Sequence, residues 1–207
     1  DPRAESIIPM GAEGTRFIVL AGEERAEVAF QLLGEHNVHN ALAGIAAGLA
    51  SEIPLDACAA ALRDMAPPEK RGQTLQIRGA TLLNDCYNSN PSALHAMVDT
   101  LLTVPAVRTI VVAGEMLELG PDTRKLHYEC GEYMGKRGVD IVVGVRGEAE
   151  SIVAGAKQAG AEVIFVATPE DAGRWLRENL RVDDAVLLKA SRGVRLERAL
   201  EVLQSEE

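Results

Sequence analysis

Three short blocks of this sequence concentrate side chains able to hold a small polar ligand, and each follows an apolar run. The first, Asn84-Asp85-Cys86-Tyr87-Asn88-Ser89-Asn90-Pro91, gathers five hydrogen-bonding side chains besides Tyr87. Asn, Asp and Ser suit turns and helix N-caps in any case, but one cap needs one such residue, so the density points to binding. The second, Gly114-Glu115-Met116-Leu117-Glu118-Leu119-Gly120, has glycines that permit close backbone approach. By itself it reads equally as a strand-to-helix loop. The third, Lys189-Ala190-Ser191-Arg192-Gly193, puts an ammonium, a hydroxyl and a guanidinium before a helix start. That is a corner for an anion, or a solvated basic loop capped by Ser191. Elsewhere, Asn37 and Asn40 stand on one face of a helix start. An Asn amide matches the donor–acceptor edge of adenine, although a pair of capping asparagines is the simpler reading of these two residues alone.

The elements that must position these blocks follow from periodicity. Residues 16–20 and 27–32 are expected as short strands, and 35–50 as a helix with Val38, Ala41, Leu42, Ile45, Ala46 and Leu49 on its apolar face. A second helix is expected over 54–65. The segment 66–72, with two prolines, charges and Gly72, breaks the composition and marks a domain boundary. Strands are then expected at 73–78, 80–85, 107–113, 139–145, 162–166 and 184–189, alternating with helices at 91–103, 122–137, 148–159, 169–180 and 194–203. The later strands are continuous apolar runs, as in parallel sheets covered on both faces. This rhythm predicts an α/β, Rossmann-like, doubly wound, mostly parallel sheet opened by an antiparallel hairpin at Gly79. Ligands of such sheets gather at the carboxyl ends of the strands, where all three blocks fall.

Composition narrows the function. The chain has 207 residues, a formal charge of −10, 47% apolar, 25% charged and 3% aromatic residues. The core is ample, while an acidic, ring-poor chain lacks the basic stripe of a nucleic-acid binder. The longest apolar run, Ala41 to Ala50, is far short of the ~20 residues of a membrane span, and no signal-peptide pattern opens the chain. Cys58, Cys86 and Cys130 form no C-x-x-C pair, so neither a disulfide framework nor a zinc site is indicated, and a reducing cytoplasm is the simplest compartment. His36, His39, His95 and His127 show no metal-ligand spacing. No phosphate loop G-x-x-x-x-G-K-[ST], dinucleotide fingerprint or G-x-S-x-G elbow occurs, which disfavours a self-contained ATPase, a nicotinamide dehydrogenase and a serine hydrolase.

Taken together, GEHNVHNALAG (34–44), Arg71-Gly72, NDCYNSNP (84–91), GEMLELG (114–120) with LHYECG (126–131), and KASRGVRLE (189–197) resemble the Mur ligases of peptidoglycan assembly. The blocks at 114–120 and 189–197 are most similar to the branch that adds D-alanyl-D-alanine to UDP-N-acetylmuramoyl-tripeptide. The resemblance covers the C-terminal half of such a protein. It implies that residues 1–70 are the end of a P-loop-type central ATPase domain and that 71–207 are the Rossmann-like C-terminal domain. The sugar-binding domain, phosphate loop and magnesium ligands of the family would lie outside this chain. The opening Asp1, in place of Met, then reads as a cut, and the piece is expected to be inactive alone, with no catalytic residue or metal ligand of its own.

The implied reaction is ATP-dependent amide formation through an acyl phosphate, with ATP and magnesium required and a monomeric protein expected. Carried over residue by residue, the resemblance places Asn37 and Asn40 against adenine with His36 beside them. It places Arg71 against the nucleotide at the domain junction and Asp85 on the ribose hydroxyls. Asn88, Ser89 and Asn90 would meet the acceptor dipeptide, with Lys189, Ser191 and Arg192 as the opposite rim. The chain departs from the family pattern at Asn84 and Cys86, where a second acid and Ser are usual, and at Ala190, where Gly is usual. A Cβ at 190 is expected to narrow a close backbone approach. The alternatives are a stand-alone Rossmann-like binding module and a related ligase with another acceptor, such as one of the folylpolyglutamate type.

Overall fold

Residues 1–67 and 69–205 are described by the structure, a computed structural model. It divides into two compact units, residues 1–68 and 69–207, two residues earlier than the expected boundary. Lys70 and Arg71 belong to the second unit, where the Tyr87 amide donates to the Lys70 carbonyl (3.0 Å) and the Arg71 guanidinium lies 3.9 Å from the Tyr87 ring centroid. Pro68, inside the expected boundary segment, lies outside the described residues.

In the first unit, β1 (Arg3–Pro9), β2 (Thr15–Ala21) and β3 (Glu24–Phe30) form an antiparallel sheet in that order, followed by α1 (Glu35–Ala50) and α2 (Leu55–Arg63). Strand alternation buries Phe17 and Val19 of β2 and Ala26, Val28 and Phe30 of β3 against Val38, Ala41 and Ile45 of α1 and Leu55, Cys58 and Ala59 of α2. Phe17 and Phe30 meet edge-on, with centroids 5.7 Å apart. β3 starts three residues before its expected position and stops at Phe30. β1 was not expected at all. It is a mostly exposed edge strand whose pairing with β2 shifts register between Glu5 and Ile8, with Ser6 at φ 53, so no apolar alternation announces it.

Among the described residues, the second unit holds a sheet of order β4-β5-β9-β6-β7-β8. Its strands are β4 (Gln73–Ile77), β5 (Ala80–Asp85), β6 (Arg108–Gly114), β7 (Ile141–Val145), β8 (Glu162–Val166) and β9 (Asp184–Lys189). β4 pairs antiparallel with β5 across Arg78 and Gly79, both left-handed as a two-residue hairpin of this kind needs, and every other pairing is parallel. The helices are α3 (Pro91–Leu101), α4 (Thr123–Arg137), α5 (Ala149–Gln158), α6 (Pro169–Asn179) and α7 (Glu197–Gln204). One sheet face, with Ile110, Val112, Val143, Val186 and Leu188, packs on Ala172 and Leu176 of α6 and on Ala199, Leu200 and Leu203 of α7. Leu83, Val111, Val142 and Leu187, which alternate with these, are also fully buried, so the central strands have no polar face.

The fold class thus matches the expectation, and elements of this unit lie within two residues of it with one exception. α7 begins at Glu197, not 194, because a 3-10 turn over Arg192–Val194 and a left-handed Arg195 (φ 59) intervene. The topology decides where ligands can go. The chain runs outward from β6 to β7 to β8, then returns to insert β9 between β5 and β6. The loops following β5, β9 and β6 therefore emerge side by side at the reversal of strand order.

Candidate functional site

Those three loops line one cleft of about 460 Å³, bounded by Tyr87, Asn88, Ser89 and Asn90 after β5, Leu117, Glu118 and Leu119 after β6, and Ser191, Arg192 and Gly193 after β9. Ser191 ties them together. Its amide donates to the Glu115 carbonyl (3.2 Å), and its hydroxyl accepts from the Leu117 amide (2.9 Å) and donates to the Ser89 carbonyl (3.4 Å). The middle loop is pinned from below by His127. The buried imidazole accepts the Met116 amide at Nε2 (2.8 Å) and donates from Nδ1 to the Thr123 carbonyl (2.6 Å), which fixes its tautomer. At the tip of that loop Glu118 is left-handed (φ 66), local strain the surrounding contacts must hold.

The structure separates the side chains of the first block. Asn90 is the N-cap of α3, accepting from the Ala93 amide (2.8 Å) and the Ser92 hydroxyl (2.9 Å), with Pro91 at the first helical position. Asn88 Oδ1 accepts from the Ser89 amide (2.9 Å). Both line the cleft while doing this local work. Ser89 differs: the residue is 5% exposed and its Oγ, buried, has no hydrogen-bond partner among the described residues. A buried hydroxyl without a partner is costly. Asn84 is buried behind the cleft, bonded to Gln73 (3.3 Å).

Lys189 is not on the rim where the sequence placed it. It is 3% exposed, and its ammonium is committed to the Asp85 carboxylate and to the Asn88 carbonyl (3.0 Å). β5 and β9 pair Asp85 directly with Lys189, so a cation one residue before the loop faces its neighbouring strand and braces the first loop. Asp85 itself is mostly buried in this pair. Ala190, with the Cβ expected to crowd a backbone approach, is fully buried in the core, its methyl packed over Gly114, where any Cβ would come within 2.5 Å of it. The Cα approach that glycine permits lies at 114. Cys86 is buried and its Sγ donates to the Leu188 carbonyl (3.5 Å). Burial, reinforced by Asp85, pushes its thiol far above the usual range, so it stays protonated and unreactive.

Arg192 remains the accessible cation of the cleft wall, 55% exposed, with its guanidinium hydrogen-bonded to Glu197. Glu197 also accepts from Lys70 (3.1 Å). Burial alone would raise the Glu197 carboxyl, but the bonds from Arg192 and Lys70 outweigh it and hold the group below the ordinary carboxylate range. Tyr87, Leu117, Glu118, Leu119 and Glu197 join the site beside the expected residues, and His127, which has no metal-ligand spacing in the sequence, holds the middle loop. All lie inside the quoted motif blocks, and that was the available signal.

In the first unit, α1 is capped by Gly34 (φ 86) with no side-chain cap, so Asn37 and Asn40 are not capping residues. Asn40 donates to Asn37 Oδ1 (3.1 Å), and the Asn37 amide contacts the Leu33 carbonyl (2.8 Å) and His36 Nε2 (3.2 Å), a linked row on an exposed helix face. Among the described residues no group of three or more His, Cys, Asp or Glu side chains is placed to hold a metal ion, and no helix is long and apolar enough to cross a membrane.

Comparison with known proteins gives this arrangement its context. The family described as "Mur ligase, glutamate ligase domain" matches residues 70–192. The UDP-N-acetylmuramoyl-tripeptide–D-alanyl-D-alanine ligase of Escherichia coli is 30% identical over 204 residues, 95% of this chain and 43% of that protein. Its Bacillus subtilis counterpart is 29% identical over 200 residues, again 95% and 43%. Among solved structures, MurF from Acinetobacter baumannii superposes with a TM-score of 0.89 at 23% identity, over 99% of this chain and 46% of that one, a likeness of fold. MurF from Thermotoga maritima in complex with ADP gives 0.82 at 25% identity, over 98% and 45%. The chain spans less than half the length of the relatives it matches.

Proposed function

Since this chain belongs to the Mur ligase family, we propose that it supplies the acceptor side of a ligase that joins D-alanyl-D-alanine to UDP-N-acetylmuramoyl-tripeptide at the expense of ATP, in the cytoplasm. The observation that carries the reading is the cleft itself: three strand-end loops bound together by Ser191, an unpartnered buried hydroxyl at Ser89, and an accessible guanidinium at Arg192. A small zwitterion with a carboxylate at one end and an amine at the other fits that chemistry. Arg192 takes the carboxylate as a charge-assisted pair, and Ser89 Oγ gains the partner it lacks. The tripeptide carboxylate takes the γ-phosphoryl group of ATP, releasing ADP and forming an acyl phosphate, a mixed anhydride from which phosphate is a good leaving group. The dipeptide amine attacks that carbonyl and inorganic phosphate departs. The contribution of these residues is to hold the amine in reach, which is positioning more than bond chemistry.

In the same proposal, Asn37 and Asn40, with His36, serve the adenine edge, and Arg71 and Asp85 the rest of the nucleotide. Asn40 donates to Asn37 Oδ1 and caps no helix end, so the two amides form a linked pair of donor and acceptor groups on an exposed helix face. Asp85, braced by Lys189, is a fixed carboxylate suited to two ribose hydroxyls. Magnesium belongs to the reaction through ligands beyond these residues.

Phosphate release by the protein carrying this chain is expected to require UDP-N-acetylmuramoyl-tripeptide and D-alanyl-D-alanine together. In an acceptor panel the dipeptide should exceed single amino acids and glutamate by at least about a hundredfold in kcat/KM, the scale on which an unmatched polar group is rejected. Preference for glutamate would move the chain to another branch of the family.

A further inference from the structure

Glu197 neither lines the cleft nor bears on the expected nucleotide residues, yet both are tied to it. Its side chain is 13% exposed, and one carboxylate oxygen, Oε1, receives both the Lys70 ammonium and the Arg192 guanidinium. The other oxygen, Oε2, is buried without a hydrogen-bond partner among the described residues. Two cations crowded on one oxygen beside an unsatisfied one is a poor arrangement for stability, since a buried ion pair is favourable only when its remaining lone pairs are met. The arrangement makes better sense as a device that holds two cations in fixed places.

Each spoke leads to a different part of the site. Arg192 is on the cleft wall. Lys70 opens the segment in which its own carbonyl accepts the Tyr87 amide (3.0 Å) and its neighbour Arg71 stacks on the Tyr87 ring (3.9 Å to the centroid). Tyr87 lines the same cleft. We infer that Glu197 is a positioning residue that fixes Arg192 for the dipeptide and, through Lys70, Arg71 for the nucleotide, so that one carboxylate sets the geometry of both binding groups. The inference rests on the proposed function for its kinetic half only. The tether from Glu197 to Tyr87 is a property of the folded unit.

The test uses Glu197→Gln, which keeps shape and removes charge, and Lys70→Met, which removes one spoke and leaves the carboxylate in place. In the protein carrying this chain, Glu197→Gln is expected to raise KM for D-alanyl-D-alanine and for ATP, each roughly fivefold, the scale of freeing one ordered long side chain, with a smaller change in kcat. Lys70→Met should raise KM for ATP more than that for the dipeptide. Amide exchange of Tyr87, measured without substrate, should accelerate in both variants. Unchanged KM values with a lowered melting temperature would make Glu197 merely structural and overturn the inference. A fall in the dipeptide KM would overturn it too, because Glu197 would then compete with the ligand for Arg192. If the wild-type protein does not use the dipeptide, the proposed function fails, and the Tyr87 exchange decides the tether independently.

Discussion

Replacing Asp184 by Ala is expected to cost about 3 kcal/mol of stability, the lower end of the usual ~3–5 kcal/mol for breaking a buried ion pair. Asp184 is 1% exposed and Arg108 18%, which is why the lower end applies. The carboxylate accepts Arg108 Nε (2.9 Å) and Nη2 (2.7 Å) as a fork and also the Arg181 amide (2.8 Å), while Arg108 reaches the Asn179 carbonyl (2.9 Å). Removing Asp184 leaves a half-buried guanidinium and an orphaned amide at the amino ends of β6 and β9. Burial works to raise the Asp184 carboxyl, but the bonds from Arg108 and Arg181 prevail and hold it below the ordinary range. A depressed carboxylate contributes stability that is present above its unfolded value and lost as pH falls through its folded value. The gap between wild type and Asp184→Ala should therefore be full at neutral pH and shrink from about pH 5 downward. Urea unfolding followed by Trp175 fluorescence reads both the size and the trend. A gap that stayed constant from pH 7 to pH 3 would mean the pair carries no linkage.

The largest loss is expected at Gly131. α4 and α5 cross with their backbones in contact: a Cβ on Gly131 would fall 1.9 Å from the Ile152 carbonyl oxygen, and one on Gly155 2.1 Å from that of Tyr128. No side-chain rotation relieves a clash with backbone. Gly131→Val must push the helices apart, and since α4 also carries His127, which holds the middle loop of the cleft, the displacement reaches the site. The cost should exceed the usual ~1–3 kcal/mol of overpacking and be a large share of a typical total of ~5–15 kcal/mol. Gly44→Ala is the control. A Cβ there meets nothing within 4 Å, and losing a mid-helix glycine should stabilise by up to about 1 kcal/mol. If thermal melts place the two variants alike, the close crossing is not what Gly131 is for.

The particular residues show how far sequence could be read. β6, β7 and β9 were legible because burial on both faces makes them continuous apolar runs, and α3 and α6 because Asn90-Pro91 and Thr168-Pro169 are cap-and-first-turn pairs. β1 was not, since an exposed, bulged edge strand has no apolar period. The cleft-lining blocks were visible as clusters of polar types, but the division of labour within them was not. That Lys189 turns inward depends on its register opposite Asp85, a pairing between residues far apart in sequence. Glu197 and His127 look like ordinary polar residues of helices, and what distinguishes them is a partner supplied by another element: Lys70 for Glu197, and the Met116 amide for His127. Local sequence reports residue type and period, while the direction of a side chain belongs to the assembled sheet.

The central claim is that the three-loop cleft reads the free carboxylate of the incoming dipeptide through Arg192. The direct measurement compares D-alanyl-D-alanine with its C-terminal carboxamide, in the protein carrying this chain and in its Arg192→Gln variant. The carboxamide is predicted to raise KM by about tenfold or more in the wild type, the scale of a charge-assisted pair. In Arg192→Gln the penalty is predicted to collapse toward unity, because the partner of the missing charge is gone. An equal penalty in both proteins would show that the carboxylate is bound elsewhere and would contradict the account.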